Sequence, residues 1–162
     1  MIKIVSKNEL IDFYKKYPTD NSFEKRRQEL YLDMYDNPLV DALYIYYMDE
    51  DEYIGECVLI FRDERKICEF EYEKDLVNKK DACLIKNLWI RDDKRGVGYF
   101  TKFLNEIKIL AKKKNCRFLN SSVSKDNIHA IDVYKHFNAY EFDKEHFYDD
   151  VGKMLFMQIN LQ

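Results

Sequence analysis

Glycine and proline are scarce in this chain, four and two in 162 residues, which excludes collagen-like and low-complexity architectures. Where the few glycines fall therefore carries information. Cysteine is sparse as well: Cys57, Cys68, Cys83 and Cys116 stand far apart, with no C-x-x-C pair, each in an apolar, strand-like run. That spacing argues against a disulfide framework, a thiolate metal site or a redox pair, and for reduced, buried thiols. No metal is expected. No apolar run approaches the roughly 20 residues of a membrane span, and Met1 to Val5 turns polar too soon for a signal peptide. The expectation is a cytoplasmic protein. Nor does charge of one sign accumulate: 27 basic against 30 acidic residues leave a formal net charge of −3, too weak a field to recruit nucleic acid or an anionic membrane. Neither partner is expected.

What the chain does hold is apolar material, 46% hydrophobic and 15% aromatic residues, ample for one core. Residues 1–162 are expected to form a single domain. The informative stretch runs from Leu88 to Asn138. An apolar run, Ala82 to Ile90, ends in a polar loop and crosses Arg95-Gly96-Val97-Gly98-Tyr99-Phe100. A helical stripe then follows at Phe103, Leu104, Ile107, Leu110 and Ala111. Lys112 to Lys114 suit the negative end of that helix. The reading is strand, turn, helix.

A helix mouth offers backbone N–H groups without intrahelical partners, with the dipole behind them. Gly96 and Gly98 remove Cβ atoms and so permit close approach, and Arg95 adds a charged donor fork. The expected ligand is a phosphate or pyrophosphate. Glycines at a strand-to-helix turn also serve plain turn geometry, so the turn alone does not decide. Beyond the helix, Cys116 to Ser124 reads as a strand, and Lys125-Asp126-Asn127 opens a shorter helix that runs to Phe137. Asn127 and Tyr134, seven residues apart, fall on one face of it, and Asn138 suits the left-handed closing position.

This series resembles the GNAT superfamily of acyl-CoA-dependent N-acetyltransferases. The likeness is carried by Arg95, Gly98, Asn127, Tyr134 and the ending Tyr134-Lys135-His136-Phe137-Asn138, and it covers Ala82 to about Phe142, with the rest similar by element order. It implies acetyl-CoA or coenzyme A as cosubstrate, gripped at Arg95, Gly96, Val97, Gly98, Tyr99 and Phe100. It also implies a pantetheine arm paired with the backbone of Leu88, Trp89 and Ile90, Asn127 touching that arm, and Tyr134 protonating the departing thiolate. Phe100 departs from the family pattern, which has Gly or Ala there. It is either a core residue on the helical stripe or a side chain that narrows the cradle.

The remaining elements read as follows. Ile2 to Val5 is a strand, and Ser6-Lys7-Asn8-Glu9 forms a capping box opening a helix that ends near Tyr17-Pro18. A second helix carries Phe23, Arg27, Leu30, Tyr31, Met34 and Tyr35 and stops at Asn37-Pro38. Three antiparallel strands are expected over Leu39 to Met48, Tyr53 to Phe61 and Lys66 to Tyr72. In the third, Glu69, Glu71 and Glu73 solvate a wet face or, as the lesser expectation, line an acceptor cleft. Lys74 to Asp81 reads as a loop, Ala139 to Phe142 as a strand, Asp143 to Asp150 as a polar connection with His146, and Leu155 to Leu161 as the last strand. By resemblance the fold class is mixed α+β, a single-domain GNAT fold. Its central sheet is splayed and mostly antiparallel, with about seven strands flanked by about four helices.

The chemistry implied is direct attack by a primary amine, of a small molecule or a peptide, on a thioester in a ternary complex. The oxyanion donor would be a backbone N–H on the strand ending at Ile90. No general base carries over, since the family's glutamate positions fall at Ser122 and near Lys86 and Asn87. Water relayed by Ser122 or Asn120, or a residue such as Glu56 or His146, stays open, and His129 reads as helix surface. The alternative is a CoA-binding, catalytically degenerate member with a sensing or assembly role, resting on Phe100 and the missing base. A dinucleotide-binding domain fits less well, lacking the acidic ribose partner. The resemblance also admits a homodimer.

Overall fold

The computed structural model describes all residues except 67, 68, 71, 143–145 and 150, and the side chain of residue 146 is likewise left aside. Among the described residues, eight strands form one sheet: β1 (Ile2–Ile4), β2 (Val40–Asp49), β3 (Glu52–Asp63), β4 (Ala82–Ile90), β5 (Phe118–Ser124), β6 (Tyr140–Glu141), β7 (His146–Tyr148) and β8 (Gly152–Asn160). Five α-helices accompany them among the described residues: α1 (Lys7–Lys16), α2 (Ser22–Asp33), α3 (Glu73–Leu76), α4 (Tyr99–Lys113) and α5 (Ile128–His136). The spatial order is β1-β2-β3-β4-β5-β8-β6, with β7 also on β8. Every pairing is antiparallel except β4 with β5.

That parallel pair organises the site. Its register runs from Ala82 opposite Phe118 to Ile85 opposite Ser121 and then stops. The cause is local. Asn87 has φ 53, in the left-handed region, and the β3–β4 register shifts between Glu56 and Val58; a bulge of this kind bends a strand away from its neighbour. On its other edge β4 stays attached, with Gly55 opposite Ile90 and Glu56 opposite Trp89. Gly55 is required there, since a Cβ would lie 2.2 Å from the carbonyl oxygen of Trp89. From Asn87 onward β4 thus turns a free edge toward β5.

One core lies between the sheet and α4 and α5, built on Phe103, Leu104, Ile107, Leu119, Ile131 and Tyr134. A second lies under α1 and α2, with Leu10, Tyr31, Tyr44 and Phe156. The capping box at Ser6 and Glu9 is formed as the sequence indicates. Cys57 and Cys83 are free and buried, and Cys116 is free and half-buried; Cys68 lies outside the described residues.

Four expectations need correction. The described residues of Lys66 to Tyr72 do not form the expected third antiparallel strand: Lys66, Glu69, Phe70 and Tyr72 are bends or turns, and residues 67, 68 and 71 fall outside the described residues. Nor do Glu69 and Glu73 wet a surface. The side chains of Glu69 and Glu73 are 2% and 4% exposed, because Lys86 of β4 is buried and draws both in. Likewise, Lys74 to Asp81 is not wholly loop, for α3 seats Leu76 in the second core. Within the expected connection Asp143 to Asp150, the described residues add strand β7.

Candidate active site

The opening between β4 and β5 is where the two motifs meet. Gly96 and Gly98 have φ of 78 and 89, a region open to glycine and strained for residues with a Cβ. Gly98 is the N-cap of α4, so the free N–H groups of the first turn point out beside it. A Cβ added at either glycine would meet no atom within 4 Å. The glycines therefore answer to backbone conformation and to open space in front of the helix, not to crowding from the protein itself.

A cavity of about 460 Å³ occupies that space. It is bounded by β4 at Leu88, Trp89 and Ile90, by the turn at Arg95, Gly96 and Gly98, by Tyr99 and Phe100 of α4, and by Asn127 at the mouth of α5. Of the sequence candidates, Val97 points elsewhere and is 66% exposed. Arg95 is partly committed: its Nε donates to the carbonyl oxygen of Ile90 at 2.9 Å and its Nη2 pairs with Asp92 at 2.9 Å. Asn127 also has a structural duty, its Oδ1 accepting from the Ala130 N–H at 3.2 Å as the cap of α5. The Tyr99 hydroxyl donates to Asp49.

Tyr134 lies deeper, in a narrower notch of about 180 Å³ between the parted strands, together with Phe100, Leu88, Lys86 and Ser121. Burial pushes its phenol well above the ordinary range, against a hydrogen bond from Ser121 that lowers it. Tyr134 is therefore a protonated donor throughout the neutral range. Phe100 stands edge-on to its ring at 6.1 Å and 89° and packs on the first core. The ring thus fills core and also borders the cavity, which leaves its effect on the cradle to experiment.

On the opposite side of β4 is a third cavity of about 890 Å³, lined by Phe13 of α1 and Tyr17 at its C-cap, Arg27 of α2, Tyr53 and Glu56 of β3, and Asn87, Leu88, Trp89 and Arg91. Leu88 borders all three cavities and Trp89 two of them. Two compartments thus share a wall one strand thick.

Beneath them Lys86 Nζ lies 2.6 Å from both Glu69 and Glu73. Arg27 Nε reaches Glu69 at 2.5 Å and the Tyr31 hydroxyl donates to it at 3.1 Å. Burial raises the Glu69 carboxyl, but Lys86 and Arg27 outweigh it and hold the group low; for Glu73 burial wins and the carboxyl moves up. This network was not legible as such, although Lys86 within an apolar strand hinted at buried partners. Ser121 carries no sequence motif; it is a polar residue on the same face of β5 as Leu119 and Val123. Ser122 is half-buried, His129 is exposed, and the His146 side chain lies outside the described residues.

Among the described residues no group of three or more His, Cys, Asp or Glu could hold a metal ion, and no helix is long and apolar enough to cross a membrane.

Comparison with curated protein sequences gives no match. Solved structures with the same fold include an IAA acetyltransferase from Bacillus cereus ATCC 14579, with TM-score 0.64 and 14% identity over 99% of this chain and 98% of that one. A ribosomal-protein-S18-alanine N-acetyltransferase from Escherichia coli gives TM-score 0.66 and 12% identity over 100% and 94%. The spermidine/spermine N-acetyltransferase SpeG from Vibrio cholerae, in complex with manganese ions, gives 0.64 and 14% over 99% and 92%. At such identities these likenesses establish the fold and leave substrates open. The profile of the acetyltransferase (GNAT) family matches residues 7–139. The chain belongs to that family, the GNAT acetyl-CoA-dependent acyltransferases.

Proposed function

We propose that residues 1–162 act as one N-acetyltransferase domain that moves an acetyl group from acetyl-CoA directly to a primary amine of a small molecule or peptide in the cytoplasm. The observation that carries this reading is the parting of β4 and β5 beyond Ile85 and Ser121, with the glycine turn at one end of the opening and the Tyr134 hydroxyl within it. The residues present fit coenzyme A. The free edge of Leu88 to Ile90 offers a strand-like partner to an amide-bearing arm, and the amides behind Gly96, Val97, Gly98, Tyr99 and Phe100 offer donors to a diphosphate. Arg95 holds the turn against Ile90 and adds positive charge, and the Asn127 amide sits at the rim. Bound acetyl-CoA supplies the activated thioester.

The chain's own groups then divide the work. A backbone N–H near Leu88 stabilises charge developing on the carbonyl oxygen. The Tyr134 hydroxyl, kept protonated by burial, gives a hydrogen bond and then a proton to the leaving sulfur. No covalent enzyme intermediate is needed.

The reading is tested by thiol release from acetyl-CoA against a panel of alkylamines, arylamines, amino-acid amides and peptides. Amine-dependent release with a mass increase of one acetyl group on the amine is expected. Saturable acetyl-CoA binding with no product from any amine would instead favour the non-catalytic alternative.

A further inference from the structure

The 890 Å³ cavity behind β4 is more specific than an open cleft. Its walls are aromatic on three sides: Phe13 of α1 and Tyr17 at its C-cap, Tyr53 from β3 and Trp89 from β4. The rings form a packed set, with Phe13 to Tyr17 at 4.9 Å, Phe13 to Tyr53 at 6.3 Å and Tyr46 to Tyr53 at 5.0 Å between centroids. Its charges are unequally satisfied. Arg27 pairs with Glu69 through its Nε at 2.5 Å, and Arg91 with Asp93 at 2.7 Å and the carbonyl oxygen of Tyr53 at 2.8 Å. Glu56 is different: its Oε2 is buried without a hydrogen-bond partner among the described residues. Aromatic faces around a carboxylate with one unpartnered oxygen attract an alkylammonium group.

We propose that this cavity is the acceptor site, that it takes an aliphatic primary amine as its ammonium form, and that Glu56 is the general base that deprotonates it. This rests on the acetyl-transfer reading above. The position suits the task, because Glu56 is the register partner of Trp89, next to the Leu88 wall shared with the cofactor cavity. The close passage of Gly55 under the Trp89 carbonyl fixes that spacing. In the reaction one ammonium proton moves to a Glu56 oxygen and on to solvent. The freed nitrogen lone pair forms the C–N bond while the C–S pair departs on sulfur. The second N–H proton replaces the one that Tyr134 gives to the thiolate, so protons and electrons balance.

Groups facing Glu56 are Tyr14 of α1, Arg27 of α2, Tyr44 and Tyr46 of β2, and Tyr53 on its own strand. Burial raises the carboxyl, while the hydroxyls of Tyr53 and Tyr44 and the charge of Arg27 draw it back. A base brought nearer to neutrality loses less driving force when it accepts a proton.

The test compares native protein with Glu56→Gln on two readouts. Without coenzyme A, calorimetry with pentylamine and 1-pentanol should show pentylamine binding the native protein at least tenfold more tightly than the alcohol, with the preference lost in E56Q. With acetyl-CoA, kcat/KM for pentylamine at pH 7 should fall roughly 100-fold in E56Q and recover toward high pH, where free amine needs no base. An unchanged pH profile, a loss equal at all pH, or equal binding of amine and alcohol overturns the proposal. Acetyl transfer persisting in those cases leaves the broader function standing. Preference for arylamines, neutral at pH 7, overturns the substrate class. Absence of turnover with every amine removes the acetyl-transfer reading, and with it the base, whatever the binding result. Thermal melting of E56Q confirms that it is folded, and Glu56→Asp, which restores charge at a shorter reach, should regain pentylamine binding.

Discussion

The Ser121 hydroxyl donates to the Tyr134 hydroxyl at 2.9 Å, buried in the notch where β4 and β5 part. The phenolic oxygen's acceptor side is thereby occupied and its proton is left to point into the notch. Tyr134→Phe should lower kcat roughly 100-fold and leave acetyl-CoA affinity within about threefold. Because burial holds the phenol up, no alkaline loss of kcat from Tyr134 should appear below about pH 10. Steady-state kinetics across pH, with acetyl-CoA affinity taken from calorimetry, checks both statements. Equal turnover in the variant removes Tyr134 from the chemistry.

Phe100 packs on the first core and also borders the cavity at the mouth of α4. Its ring is half-buried on the first core and meets Tyr134 edge-on. Phe100→Ala should cost about 2 kcal/mol in denaturant unfolding, less than a fully buried ring because part of its surface is already wet. A gain in coenzyme A affinity of tenfold or more with stability intact would instead identify the ring as an obstruction.

Lys86 holds two buried carboxylates at 2.6 Å each. Lys86→Met should destabilise the fold by about 3–5 kcal/mol, since Glu69 and Glu73 then face each other with Arg27 alone to offset them. The sign with pH follows. Without Lys86 both folded-state carboxyls rise above their unfolded values, so the folded state gains by protonation. The deficit should be largest at neutral pH and shrink as pH falls into the carboxylate range. Urea melts at pH 5 and pH 8 distinguish this from a deficit that does not vary with pH.

At the start of α1, Ser6 accepts from the Glu9 N–H at 3.2 Å while Glu9 reaches back to the Ser6 N–H at 2.8 Å. Hydrogen bonding to Lys3 and then to Ser6 lowers the Glu9 carboxyl to about 2. This depressed group stabilises the fold above its unfolded value and loses that contribution as pH falls toward about 2. Ser6→Ala should cost about 1 kcal/mol at pH 7. Glu9→Gln should be less stable than native at pH 7 and converge with it near pH 2, which thermal melts at the two pH values check.

Much of this was legible because it is periodic or local. Phe103, Leu104, Ile107 and Ala111 are buried as their spacing requires, β4 spans Ala82–Ile90 as its apolar run indicates, and Asn138 adopts φ 58 at the close of α5. What the sequence concealed depends on long-range pairing. Glu69 alternates with aromatics as a wet strand would, yet it is buried, because Lys86 and Arg27, distant in sequence, converge on it. The bend at Asn87 is a single left-handed residue without a glycine to mark it. Ser121 carries no motif and becomes notable only once α5 lays Tyr134 against β5.

The central claim is that the mouth of α4 and the free edge of β4 hold coenzyme A. Isothermal titration of coenzyme A into the native protein and into Gly98→Ala tests it most directly, because a Cβ at φ 89 strains the turn while meeting no protein atom within 4 Å. The expected result is saturable binding to the native protein and at least tenfold weaker binding to the variant. No heat and no competition with acetyl-CoA at millimolar coenzyme A, or equal affinity in the two proteins, would contradict it.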